Sequence, residues 1–236
     1  MKFINKIFVL LLVAFILASS VSADVKITST TKTSAFMGKP AKEEETITYL
    51  SEAGMYIKRG EKFGILYAAQ QKNLTFLLKE NEQYMEVDWK KMEALAATMA
   101  DFMKGTKWDV KNTGRMEKIG EYNTTVWTSE MKNQFSTVEM TFYQTDTVKL
   151  PSTYGKAMEE MLKLQVNIPN EMIKEFRKMT GYAVKSTVKV KIPQGELEVM
   201  TETKKVEYKD LNKSLFEVPK EFRKIDFDIQ KLQQFQ

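Results

Sequence analysis

The only side chains in this sequence with the makings of a catalyst are its acids, and they come in three places. Glu43-Glu44-Glu45 is a run of three, Glu159-Glu160 is a pair, and Asp226 and Asp228 are two apart. On a strand, residues two apart share a face, so Asp226 and Asp228 would present two carboxyls together. Two carboxyls can share glycosidase chemistry, and clustered carboxylates can hold calcium. No EF-hand spacing is present, and nothing in the order of residues makes carboxyls converge from separate segments. Ordinary surface acids account for all three groups. The chain has no histidine and no cysteine. A Ser-His-Asp triad, a thiol nucleophile and the usual zinc, copper and haem sites are therefore excluded. No catalytic residue, metal ligand or cofactor is assigned, and the chain reads as a non-enzyme.

The basic residues offer binding chemistry instead. Lys185, Lys189 and Lys191, with Lys204 and Lys205, could present a stripe to anionic lipid head groups. Alternation along a strand predicts the same lysines as the wet face of a sheet. The net charge of +5 is too small and too dispersed for nucleic-acid binding.

The apolar residues are soft. Methionine occurs 15 times, and its flexible thioether fits irregular shapes. Met92, Met99 and Met103 fall on one stripe with Trp89, Leu95 and Phe102 at helical spacing, within a helix expected from Asp88 to Lys104. Asp88 would cap its start and Gly105 would end it.

Around that helix the chain reads as short strands. Thr46 to Leu50, Met55 to Lys58, Phe63 to Ala69, Leu74 to Lys79 and Gln83 to Val87 are separated by polar turns, as in an antiparallel meander. Val25 to Thr28 starts an earlier strand. Trp108 to Lys118, Tyr122 to Met131 and Thr137 to Tyr143 form a second group. Helical spacing returns after Pro151, with Tyr154, Met158, Met161 and Leu162 on one stripe. A second stripe holds Met172, Ile173, Phe176 and Met179. The chain closes on a hairpin, with Val184 to Ile192 turning at Pro193-Gln194-Gly195-Glu196 into Leu197 to Tyr208.

The first residues have the form of an export signal. Lys2 and Lys6 precede the apolar run Ile7 to Ala18, and Val21-Ser22-Ala23 offers the small residues a signal peptidase reads. Cleavage is expected after Ala23, giving residues 24–236 as one domain, in the periplasm or secreted. With no cysteine to carry a lipid, no stable membrane anchor is expected after cleavage.

Three stretches carry a resemblance. Leu74-Thr75-Phe76-Leu77-Leu78 is followed by Gln83-Tyr84-Met85-Glu86-Val87, a strand pair ending in a helix. Glu117-Lys118-Ile119-Gly120-Glu121-Tyr122-Asn123-Thr124-Thr125-Val126-Trp127 is a strand, turn and strand. Leu215-Phe216-Glu217-Val218-Pro219-Lys220-Glu221-Phe222 follows the closing hairpin. In this order they resemble the LolA/LolB-like periplasmic carriers, and more closely an uncharacterised bacterial periplasmic family of that type. The resemblance implies an α+β fold. A curved antiparallel sheet, an open half-barrel, would have helices over its concave face and an apolar cavity between. The region from Ser152 to Met179 is expanded, and no arginine matches one that would carry a lipoprotein-handling role.

The expected function is that of a carrier for a lipid or acyl chain. Ile65, Tyr67, Phe76 and Leu78 would line its pocket from the strands, together with Met140 and Phe142. Met92, Met99 and Met103 would line it from the helix. Tyr67 and Tyr84 could stand at its mouth, ring buried and hydroxyl wet. The alternative is an interaction or envelope-sensor module on the same scaffold, with a filled cavity and an envelope protein as partner.

Overall fold

A computed structural model describes residues 23–94, 106–164, 174–179 and 181–228. Residues 1–22 of the expected leader lie outside the described residues, as do Leu95, Met99, Phe102, Met103 and Gly105 of the expected helix and Met172 and Ile173 of the second stripe.

The strands form because apolar and polar residues alternate between short turns. β1 (Val25–Thr33) turns Val25, Ile27, Ser29 and Thr31 to the inside. β2 (Lys42–Ser51) follows it, then β3 (Gly54–Arg59), β4 (Phe63–Ala68), β5 (Asn73–Leu78) and β6 (Gln83–Glu86). The turn after β3 places Gly60 at φ +54°, a left-handed conformation that glycine takes without a Cβ clash. A helix, α1, opens at residue 89 and is described to 94. The Asp88 carboxylate caps it, accepting the Lys91 backbone N–H at 3.2 Å.

The second group is β7 (Lys107–Ile119), β8 (Tyr122–Lys132) and β9 (Thr137–Thr145). α2 (Thr153–Lys163) then crosses the sheet. β10 (Tyr182–Ile192) and β11 (Gly195–Tyr208) form the long hairpin, and the two-residue β12 (Arg223–Lys224) ends the described structure.

The twelve strands among the described residues join one sheet in the order β12-β6-β5-β4-β3-β2-β1-β11-β10-β9-β8-β7. Each pair is antiparallel except β12 with β6. The two groups of strands meet where β1 pairs with β11. Edge strands β12 and β7 do not pair with each other, so the sheet stays open. Register irregularities at Thr28/Ser29, Ala183/Lys185 and Asn112/Met116 add twist along it. The expected fold, an α+β open half-barrel with helix on the concave face, is the one found.

β3, β4 and β5 are buried on both faces. Their inner face packs in the main core with α2, and includes Met55, Ile65 and Phe76. Their outer face, with Tyr56, Leu66 and Leu77, is covered by Phe216 and its neighbours Leu215, Val218 and Phe222. The closing segment is thus a strap over the convex side.

The acid groups fall as follows. Glu43-Glu44-Glu45 lies within β2, which begins at Lys42. Asp226 and Asp228 are not on a strand, since pairing with β6 stops at Lys224. Among the described residues no group of three acidic side chains could hold a metal ion, and no helix is long and apolar enough to cross a membrane.

Candidate ligand cavity

The concave face is crossed by lines of side chains in register. Val25, Leu50, Met55, Tyr67 and Leu74 form one. Ile27, Thr48, Ile57, Ile65, Phe76 and Met85 form the next. These two are apolar apart from Thr48. The following two are polar. Thr203, Ser29, Thr46 and Arg59 cross four strands side by side, and so do Ser186, Thr201, Thr31 and Glu44. One concave surface therefore changes from hydrocarbon to hydroxyl along the strands.

A cavity of about 60 Å³ lies where the two halves meet. Ile27, Ile57 and Ile65 line its apolar part, under Tyr154, Met158 and Met161 of α2. The hydroxyl-bearing Ser29, Thr31, Thr46, Thr201 and Thr203 line the rest, with Arg59. The hydroxyls partly satisfy one another: Thr31 and Thr201 are 3.1 Å apart, and the Tyr182 hydroxyl is 3.0 Å from that of Thr203. Burial pushes the Tyr154 and Tyr182 phenols above their ordinary range.

Arg59 is held by Glu44. Its Nη2 donates to Glu44 Oε2 at 2.9 Å, and the two side chains are 16% and 21% exposed. Burial pushes the Glu44 carboxyl up, but the Arg59 guanidinium and the Lys42 ammonium outweigh it and hold it below the ordinary 4.5. A carboxyl held low when folded stabilises the fold above its unfolded pKa, and that stability is lost as pH falls through the folded pKa. Glu44→Gln is therefore expected to lower the urea midpoint near neutrality and to converge with wild type as pH falls through the lowered Glu44 pKa. A constant offset across that fall would show that the carboxylate charge is not what Arg59 holds.

The N-terminus of α2 is clasped to the β2–β3 turn. The Glu52 carboxylate accepts the Ser152 backbone N–H and the Ser152 hydroxyl, each at 2.8 Å. The Thr153 hydroxyl donates to the Ser51 carbonyl. An acid at this end also meets the positive pole of the helix.

Of the residues expected to line a pocket, Ile65 is in the cavity wall. Tyr67, Phe76, Leu78 and Met92 are packed in the surrounding core, as are Met140 and Phe142. Tyr67 is 2% exposed, and burial raises its phenol above its ordinary range. Tyr84 packs on the opposite, convex face. The α2 stripe of Tyr154, Met158, Met161 and Leu162 is buried as its spacing predicts.

The hydroxyl lines and Arg59 were not expected. The signal was present in the parity of the strands: Ser29 and Thr31 alternate in phase with Val25 and Ile27, and Arg59 with Met55 and Ile57. The lysine stripe is a solvated face. Lys189 pairs with Glu198 at 3.1 Å, Lys191 with Glu139 at 2.6 Å and Lys204 with Glu202 at 2.6 Å.

Fold and cavity together define an open, curved antiparallel half-barrel with a helix over its concave face. Residues 24–222 match the family described as a domain of unknown function, DUF4412, and the chain belongs to that family. No curated protein matches it. Similar solved structures include PNGF-II, at 14% identity and a TM-score of 0.43, over 90% of this chain and 32% of that one. This chain thus spans about a third of that protein's length. A LolA superfamily protein from Nitrosomonas europaea is 10% identical with a TM-score of 0.36, over 83% of this chain and 90% of that one. An outer membrane lipoprotein-sorting protein domain from Vibrio parahaemolyticus, described as putative in that structure's own name, is 8% identical with a TM-score of 0.36, over 84% and 90%.

Proposed function

We propose that this protein is a non-enzymatic carrier that holds a lipid or acyl chain between its curved sheet and α2, after export to the periplasm and cleavage behind Ala23. The observation that supports this is the cavity, roofed by Met158 and Met161 over Ile27, Ile57 and Ile65. Methionine side chains re-pack around flexible hydrocarbon at small cost. Ligand sites for small molecules are commonly about 300–1,000 Å³. At about 60 Å³ this cavity is the closed form, and loading requires α2 or its side chains to move outward. The clasp at Ser152 makes the other end of α2 the part that swings.

The test is native mass spectrometry on protein taken from its own periplasm without detergent. Bound mass that disappears on organic extraction is the expected result. A bare polypeptide mass, together with no uptake of the neutral apolar dye N-phenyl-1-naphthylamine, would overturn the carrier reading. The small closed volume would then favour the second reading, an interaction or envelope-sensor module with a filled core and a protein partner.

A further inference from the structure

We infer that the polar end of the cavity is a head-group site, and that the ligand is an anionic amphiphile whose carboxylate or phosphate pairs with Arg59. This rests on the carrier reading and names the ligand class. Three observations carry it. Arg59 lines the cavity, yet its Nε is buried and has no hydrogen-bond partner among the described residues. The Thr46 hydroxyl, its cross-strand neighbour, is in the same position: lining the cavity, buried and without a partner. The hydrocarbon walls and the hydroxyl walls occupy separate parts of one space, as an amphiphile with one polar end requires.

An unpaired buried N–H is costly, so a site that keeps one has a use for it or a guest to satisfy it. Guanidinium gives five donors in a planar fork, which matches the oxygens of a carboxylate or phosphate. Glu44 accepts from Nη2 and fixes the direction of the guanidinium, while Nε–H beside it has no partner among the described residues. Thr46 can donate its hydroxyl proton to the same anion. A neutral head such as an alcohol would gain one ordinary hydrogen bond here, where an anion gains charge-assisted ones.

The experiment is displacement of bound N-phenyl-1-naphthylamine by decanoate, decyl phosphate and decanol, which share one chain and differ in the head. Both acids are expected to displace the dye at concentrations on the order of tenfold lower than decanol does. The stronger of the two identifies the head group. In Arg59→Met combined with Glu44→Gln, which removes the half-buried charge pair and takes a partner only from the exposed Lys42, the dye should still bind and the advantage of the acids should vanish. Thr46→Val, a milder change, should lose part of it. Equal displacement by acids and alcohol in the wild type overturns the head-group site while leaving the carrier reading intact. So does an acid preference that survives the double substitution. If the dye does not bind the wild type and neither acid protects the protein against thermal unfolding, the carrier reading itself fails.

Discussion

Phe142→Ala is expected to lower stability by about 3–5 kcal/mol, read as the change in urea midpoint at unchanged slope. For a domain of this size that is a fall in Tm of roughly 10 °C. The ring is completely buried on β9 and meets Phe176 edge to face, with centroids 6.0 Å apart and planes at 86°. Removing it forfeits the transfer of the ring from water, the edge contact and the packing of everything that touched it. The magnitude separates two roles. A ring packed in solid core leaves a void that neighbours cannot close. A ring that walls an open pocket has one side already unfilled, and its loss costs less. A drop below about 1 kcal/mol would place Phe142 on a ligand wall, as the sequence led one to expect.

Ile57→Phe is expected to do the opposite: leave stability within about 1 kcal/mol of wild type and abolish ligand uptake. Ile57 lies at the centre of the apolar floor, between Thr48 and Ile65, and borders the cavity directly. Adding volume to a close-packed core usually costs about 1–3 kcal/mol, because side chains and backbone must shift. Here the added ring has an empty space to enter, and an aromatic residue suits a strand. The measurements are the urea midpoint and binding of N-phenyl-1-naphthylamine. Retained stability with dye binding lost identifies the cavity as the ligand site. Retained dye binding would show that the ligand lies elsewhere, and a large loss of stability would show that α2 does not leave the ring room.

The frame of this fold was readable in the sequence because its strands repeat with period two and its turns carry glycine or polar residues. The meander from β2 to β6 and the closing hairpin follow from that pattern. The α2 stripe follows in the same way from helical spacing. The polar half of the site was not readable, for a physical reason. Alternation normally assigns serine, threonine and acids to water, so Glu44 and Thr46 look like the wet margin of a strand. In β2 they share the inward face with Leu50 instead. What makes a hydroxyl inward-facing is its partner on the next strand, and register between distant segments such as β1 and β11 is a property of the assembled sheet. The same limit explains the pocket residues. Phe76 and Met140 have the character of a lining, but whether a buried side chain borders empty space depends on how α2 settles across the sheet.

An open sheet has two free margins, and each is a template on which another chain could pair and aggregate. One margin here is closed off by β12, which is only two residues long and followed by non-strand chain. The other, β7, is thirteen residues long and has no such cover among the described residues. Its ladder is broken in the middle by the irregularity between Asn112 and Met116, with Gly114 at φ +71°. In that break Arg115 is exposed, and on either side of it so are Asp109, Lys111, Glu117 and Lys118. A second copy approaching this edge would meet charges of both signs and a kinked backbone, with no long straight run to extend. The irregularity that adds twist to the half-barrel therefore also leaves this margin without the long straight run that strand pairing between copies uses.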